Sequence, residues 1–142
     1  VRLACTRASD TDISELKAYL DLTEPQYQME SDATELLIMD EAYHMRIASL
    51  SQNDELERLL QNLNDRVRYI RLIDLRSLRS QHPITERQGA KLSAHRIILH
   101  ALQKRDMTKA VDTMRAHIER RREEATEAVR IAYSQLYVPN ED

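Results

Sequence analysis

The chain has 142 residues, with one glycine, three prolines, no Phe and no Trp. So few turn-forming residues leave little room for hairpins, and a formal net charge of −3 argues against a nucleic-acid surface on this segment. Good helix formers (Leu, Arg, Glu, Gln, Ala and Met) dominate the composition. The composition therefore predicts one all-α domain over residues 1–142, long enough to bury a core.

The single cysteine, Cys5, excludes an intrachain disulfide and favours a reducing, cytoplasmic compartment. No apolar run approaches membrane-spanning length, and no segment has the pattern of a signal peptide, so we expect no membrane partner. The first residues have the pattern of a helix already under way, which indicates that the chain begins inside a larger protein.

Helical periodicity and capping residues predict about six helices in chain order. A helix end at residues 1–8 is followed by a second helix, which Ser9 or Asp10 caps. We expect this second helix to end just before Pro25, because proline disfavours helical backbone at the preceding residue. A third helix covers about residues 32–50.

The second half of the chain continues with a long helix over about residues 53–79. Thr85 and Gln88 have the spacing of a capping box for a fifth helix, and Asp106 caps a last helix that extends to about Tyr137. Helices of this length with short connections favour an antiparallel bundle. The long helix carries one apolar stripe, which comprises Leu56, Leu59, Leu60, Leu63, Val67 and Ile70.

Asp40 and His44 form the most informative pair, because one helical turn separates them and both lie within an apolar stripe. His95 and His117 lie on or beside the apolar faces of two other predicted helices. Polar groups on a core face need partners, and a shared cation could satisfy all four. Three imidazoles and one carboxylate suit zinc or nickel, with manganese, iron or cobalt as alternatives.

These four groups carry one negative charge together, so a divalent ion would leave the site with one net positive charge. An octahedral ion would keep two open positions, and an open, positively charged position in an apolar pocket attracts a carboxylate. The alternative is that each histidine is a hydrogen-bonded core residue, as a single histidine on an apolar face usually is. His100 lies about 140° around the helix from His95 and is expected to face elsewhere.

Three sequence blocks resemble the FCD-type ligand-binding domain of GntR-superfamily transcription regulators (the FadR C-terminal-domain type). The blocks are MDEAYHMRIA at residues 39–48, SAHRIILHAL at 93–102 and RDMTKAVDTMRAHI at 105–118. Their order, and the 22-residue separation of His95 from His117, are similar to the family pattern. In metal-binding members the ligands match four residues of this chain, and the resemblance implies the same metal ligands here: Asp40, His44, His95 and His117.

The resemblance also implies a function, which is effector sensing by a dimeric regulator. A small organic acid would ligate the metal, and the bundle would then change the spacing of attached winged helix-turn-helix domains on operator DNA. This segment contains no such DNA-binding domain, so we expect it to contact operator DNA only through a domain absent from this chain. Ala94 stands where the family usually has Glu, and Arg105 where it often has Gly.

The effector needs fixed donors besides the metal, and the planar guanidinium of arginine suits a carboxylate. Arg66 is the first candidate and Arg71 the second, because both flank the apolar stripe of the long helix. The alternative is that both are surface arginines paired with acids such as Asp65 or Asp74. Two further residues are expected to line the effector cavity: Asn64 and Tyr43.

Two other functions compete with the sensor. A helical bundle with an open metal position can activate water, but a hydrolase also needs a general base, and only Glu41 or Asp112 could supply it. We therefore expect that the chain is not an enzyme. The third possibility is a plain helical dimerisation module in which the histidines are core residues.

Overall fold

The computed structural model describes residues 1–81 and 92–137, and within these ranges it contains helices and no strand. The all-α prediction is therefore confirmed, whereas the capping box predicted at Thr85 and Gln88 lies outside the described residues. The helices are α1 (Arg2–Arg7), α2 (Asp10–Met29), α3 (Ala33–Ser49), α4 (Asp54–Gln81), α5 (Leu92–Gln103) and α6 (Met107–Tyr137).

Two helix starts follow directly from their capping residues. The Ser9 hydroxyl accepts a hydrogen bond from the Asp12 backbone N–H at 3.1 Å, and the Asp12 carboxylate accepts one from the Ser9 N–H at 2.8 Å. This reciprocal pair satisfies two donors at the start of α2. Asp106 likewise accepts a hydrogen bond from the Lys109 N–H at 2.9 Å and begins α6, as the sequence predicts.

The predicted end of the second helix is wrong. α2 continues through Pro25 to Met29, although a proline inside a helix removes one backbone hydrogen bond. The last turn is stabilised by tertiary packing, because Tyr27 is buried in a cluster with Leu36 and Leu75. Packing of this kind overrides the local preference of the chain, which the sequence pattern alone expresses.

Five helices surround the centre of the domain. Each packs against two neighbours, and the order around the centre is α2, α3, α4, α6 and α5, with α5 packing in turn against α2. α3 and α4 run antiparallel, since Asp40 contacts Arg71 while Glu41 contacts Arg68, three residues earlier in α4. α1 packs against α3 and α6. In the described ranges every helix is too short or too polar to serve as a membrane span.

The apolar core lies towards α1, α2 and α5, and the largest cluster of buried side chains includes Leu16, Leu20, Ile98 and Leu102. α3 contributes Tyr43 and Ile47 to it. The core therefore reaches the helix that carries Asp40 and His44.

The apolar stripe predicted on α4 is only partly buried. Leu59 is 60% exposed and Leu63 is 54% exposed, whereas Asn64, Asp74 and Leu75 are buried. Consecutive helical residues point about 100° apart, so the stripe lies beside the face that packs inward. The inner face of the helix thus carries both polar and apolar residues, whereas the stripe gives it an apolar outer face.

Candidate metal centre

Three helices bring the four sequence-predicted ligands together at the centre of the domain. α3 supplies Asp40 and His44 one turn apart, α5 supplies His95 and α6 supplies His117. One potential ligand atom from each lies within 4.8 Å of every other. Three of the four residues are buried, and His44 is partly buried. The arrangement could bind a metal ion.

The separations between these atoms agree with coordination of one ion. Asp40 Oδ1 is 3.5 Å from His95 Nε2, and Asp40 Oδ2 is 3.9 Å from His44 Nε2. His44 Nε2 and His117 Nε2 are 3.3 Å apart. Ligands bonded to one transition metal at about 2.0–2.2 Å lie roughly 3–4 Å from one another. Small side-chain adjustments would therefore suffice to bring all four onto one ion.

His95 gives an independent test of whether a metal fits. Its Nε2 atom is one of two side-chain nitrogen or oxygen atoms, among the described residues, that are buried without a hydrogen-bond partner. The 3.5 Å separation from Asp40 Oδ1 is too long for a good hydrogen bond. A buried imidazole nitrogen without a partner is costly, and a metal ion would satisfy it. The residues present therefore fit a metal.

The protonation states of the histidines also suit metal binding. Burial lowers the pKa of His95 to about 3 and, with the nearby His44, lowers the pKa of His117 to about 4. Burial also lowers the pKa of His44. At neutral pH all three imidazoles are therefore uncharged, which is the form that ligates metals.

Asp40 is ionised despite its burial because two arginines lie beside it. Arg71 of α4 hydrogen-bonds Asp40 Oδ2, and Arg121 of α6 lies 3.4 Å from Asp40 Oδ1. Burial alone would raise the pKa of this carboxyl, but the positive charges, with Arg121 the strongest, hold it well below its usual range. The centre therefore offers one anionic and three neutral ligands.

Tyr43 connects the centre to the apolar core. Its ring stacks on His95 with centroids 4.1 Å apart, and its hydroxyl donates a hydrogen bond to the His95 backbone carbonyl at 2.8 Å. A small cavity, with room for about one water molecule, lies on the α2 side of the centre. Its lining residues are Leu20, Thr23, Tyr27, Met39, Asp40, Tyr43 and His95.

The structure brings some of the predicted effector residues to the centre and not others. Tyr43 lines the cavity, and Arg71 contacts Asp40 and, at 3.5 Å, Glu41. Asn64 is buried on the inner face of α4. Arg66 is exposed, and it lies about 140° around the helix from Arg71, so the structure does not place it at the centre.

Arg121 was not predicted from the sequence as a residue of this centre. It follows His117 by four residues, so both side chains lie on one face of α6, and this spacing was a signal that could have found it. Arg121 also lies 3.7 Å from Asp74, which is buried on α4. Asp40 therefore receives positive charge from both α4 and α6.

Neither candidate general base is suited to catalysis at the centre. Glu41 accepts a hydrogen bond from Arg68 at 2.7 Å and lies 3.5 Å from Arg71, so its carboxylate is engaged between α3 and α4. Asp112 is exposed on α6. The geometry thus gives no support to the hydrolase alternative.

Comparison with known proteins gives one family and one relative. The family model described as "FCD domain" matches residues 1–120. The "Nta operon transcriptional regulator" of Aminobacter aminovorans is 33% identical over 142 residues, which cover 100% of this chain and 62% of that protein. The chain therefore spans about three fifths of the length of this curated relative. No solved structure matches the chain significantly.

These findings agree with the resemblance seen in the three sequence blocks. The family match covers all four residues of the candidate centre, and the relative is named as a transcriptional regulator. Both support a regulator's effector-binding domain, as the sequence predicts. This chain belongs to the FCD domain family.

Proposed function

We propose that this chain is the metal-dependent effector-binding and dimerisation domain, over residues 1–142, of a cytoplasmic GntR-type transcription regulator. It binds a divalent metal with Asp40, His44, His95 and His117. A small organic acid then occupies the remaining coordination positions. The observation that carries this proposal is the convergence of four ligand atoms from three helices around a buried His95 nitrogen without a hydrogen-bond partner.

The donor set limits the choice of metal. Imidazole nitrogens and one carboxylate oxygen are ligands of intermediate softness, which suit zinc or nickel best and also accept manganese, iron or cobalt. Calcium and magnesium are disfavoured because they prefer sites built from oxygen atoms. A bound metal would supply an electrophilic, positively charged position for a carboxylate.

The charges around the centre favour an anionic effector. Arg71 and Arg121 bring two positive charges to Asp40, and a divalent ion would add two more. Asp40 and Asp74 offset only part of this charge, so the centre would be net positive. The adjoining cavity is small, so an organic acid would have to displace side chains that line it, and Tyr43 in its wall would supply an aromatic surface.

Effector binding would act on DNA through the helices that share the centre. The ligands come from α3, α5 and α6, and Arg71 comes from α4, so an anion that binds here contacts or displaces side chains of several helices. Operator binding by a homodimer depends on the spacing of its two DNA-binding domains. The effector can shift the equilibrium between two such spacings only to the extent that it binds one arrangement of the dimer more tightly than the other. DNA recognition itself belongs to an attached winged helix-turn-helix domain.

Metal analysis is the first test. Protein without a polyhistidine tag, purified without chelator and dialysed against zinc or nickel, should hold one ion per chain. His117→Ala should lower metal affinity by at least about 100-fold, because it removes one ligand. His100→Ala is the matched control, since His100 is exposed on α5, and it should leave the stoichiometry unchanged. Absence of a stoichiometric ion in the unaltered chain would exclude the metal-dependent function and favour the plain dimerisation module.

Calorimetry of the metal-loaded protein tests the effector. A panel of small hydroxy and dicarboxylic acids should contain a binder, and Arg71→Gln should weaken its affinity by roughly 10-fold while the metal stays bound. The sequence also predicts an effect of Arg66→Ala. Because Arg66 lies exposed on the outer face of α4, unchanged affinity in that variant would remove it from the pocket.

A further inference from the structure

The outer face of α4 carries a regular apolar pattern whose middle members are exposed and whose two ends, Leu56 and Ile73, are partly buried. We call it the α4 seam. In the part of the chain that the structure describes, α3 and α6 pack against α4, and the inner face there bears Asn64 and Leu75. The α4 seam points roughly 140° away from that face, at about 100° per residue. Its members are separated alternately by three and four residues: Leu56, Leu59, Leu63, Arg66, Ile70 and Ile73.

Alternating separations of three and four residues give an average period of 3.5, which is the pattern of a helix that pairs with another helix. Five of the six members are apolar, and Leu59, Leu63 and Ile70 are each exposed by more than a third. The seam spans roughly 26 Å at 1.5 Å per residue. An apolar surface of this length and regularity on a charged domain indicates a contact with another protein surface.

We propose that the α4 seam pairs in antiparallel orientation with the α4 seam of a second copy of this chain. The inference rests on the homodimer of the proposed function and identifies its interface. The occupant is a second copy because the seam is complementary to itself, both in its apolar layers and in its charges.

The apolar layers favour the antiparallel direction. With the two-fold axis near residues 64–65, Leu59 faces Ile70 of the second copy, and Leu63 faces its Arg66. Leu56 then faces Ile73 in the same register. A parallel pairing would place Arg66 directly against Arg66 of the second copy, and two like charges in an apolar seam are unfavourable. The antiparallel register separates the two arginines and packs each beside a leucine, whose surface its aliphatic stem covers.

The flanking charges agree with the same register. Glu55 and Arg76 are both exposed, and they occupy equivalent positions beside the seam near opposite ends. In the antiparallel pair, Glu55 of one copy lies beside Arg76 of the other, at both ends of the interface. In the described part of one chain Glu55 pairs with the exposed Arg58 near the start of the helix, and such a pair exchanges partners at little cost.

Sedimentation equilibrium of the zinc-loaded chain tests the surface. The unaltered chain should be a dimer, and Leu59→Glu should raise its dissociation constant by at least about 100-fold, because the two new carboxylates would each face Ile70 of the other copy without a charged partner. Leu22→Glu is the matched control: Leu22 is 66% exposed on α2, and its substitution should change the constant by less than about threefold. Circular dichroism should show native helix content in both variants, since neither leucine is buried.

A chain that remains monomeric up to about 100 μM, or a dimer equally sensitive to both substitutions, would overturn the proposal. Metal content measured in the same samples tests the proposed metal site independently of the α4 seam. A dimer that is weakened by Leu59→Glu but holds no metal would contradict the proposed metal site and would still support the α4 seam.

A charge exchange tests the direction of pairing. Glu55→Arg and Arg76→Glu should each raise the dissociation constant by roughly 3-fold to 10-fold, through repulsion at both ends of the interface. The double variant should return to within about twofold of the unaltered chain, because it restores both contacts with their signs exchanged. Additive weakening in the double variant would show that Glu55 and Arg76 do not meet and would overturn the antiparallel register.

Discussion

The apolar core around Leu16, Leu20 and Leu102 and the polar centre around Asp40 share the interior of one helical domain. In the apolar core, aliphatic side chains from α1, α2 and α5 are removed from water and need no particular partner. In the polar centre each buried group depends on specific neighbours, as Asp40 does on Arg71 and Arg121. The first region stabilises the fold at any pH, whereas the second is stable only while its charges and protons are matched.

The difference teaches that burial alone does not identify structural residues. His95 is as well buried as Leu99, yet its Nε2 atom has no hydrogen-bond partner among the described residues. The leucine gains free energy from burial, and the imidazole loses it unless a ligand compensates. A centre that costs stability in this way indicates a binding function, and conditions that alter its charges should separate it from the core.

Lowering the pH should have the largest effect on stability, and it should act through the polar centre and not through the apolar core. In the folded chain His95 has a pKa of about 3 and His117 about 4, while unfolded histidine titrates near pH 6.5. Below pH 6.5 the unfolded chain therefore binds protons that the folded chain excludes, so the free energy of unfolding falls as pH falls. Between pH 7 and pH 5 we expect a loss of roughly 4 kcal/mol in chelator-treated protein, measured by urea unfolding.

The matched control is a His95→Gln and His117→Gln double variant, whose stability should change much less over the same interval. The window ends at pH 5 because the carboxylates begin to titrate below it. If the free energy of unfolding of the double variant still falls as strongly with pH, other groups cause the effect. The polar centre would then not differ from the apolar core in its response to acid.

Leu102→Ala should have the next largest effect, and on the core alone. Leu102 is fully buried between α5 and its neighbours, so truncation leaves a cavity and should cost about 3 kcal/mol of unfolding free energy. The metal stoichiometry of the folded fraction should not change, because none of the four candidate ligands is altered. Loss of metal at temperatures where circular dichroism shows full folding would instead show that core packing determines the ligand geometry.

Tyr43→Phe should have the smallest effect on the free energy of unfolding. Tyr43 belongs to both regions, so this substitution tests the contact between them. The substitution keeps the apolar ring and removes the hydroxyl that donates to the His95 carbonyl at 2.8 Å. We expect a loss of about 1 kcal/mol in thermal or urea unfolding, and a weaker metal affinity of up to roughly 10-fold through a less well positioned His95. An unchanged metal affinity together with the stability loss would confine Tyr43 to the core.

Much of the fold was readable from the sequence because it depends on local patterns. Ser9 and Asp106 are capping residues whose geometry involves only the next three residues, and both begin helices where predicted. The end of α2 was not readable, because the turn beyond Pro25 is stabilised by the burial of Tyr27 against distant helices. Periodicity also could not tell which side of the α4 stripe packs inward, since that depends on α3 and α6.

The candidate centre was likewise predictable from the sequence only in part. One-turn spacing on an apolar stripe selected Asp40 and His44, and positions on or beside apolar faces suggested His95 and His117. The family blocks then supported all four, which the structure brings together. Arg66 and Arg71 looked equivalent in sequence, because both flank the same stripe. Only the packing of α3 against α4 distinguishes them, since it turns Arg71 towards Asp40 and leaves Arg66 exposed.

The stacking of Tyr43 on His95 provides a natural optical signal. The chain contains no tryptophan, so the emission of its six tyrosines is not masked. Tyr43 is buried with its ring 4.1 Å from an imidazole of the candidate centre, whereas Tyr69 and Tyr133 are exposed. A paramagnetic ion such as nickel or cobalt at that centre would quench Tyr43 first, and zinc would not. Tyrosine lifetimes recorded with the two classes of ion would thus follow occupancy in the unlabelled protein.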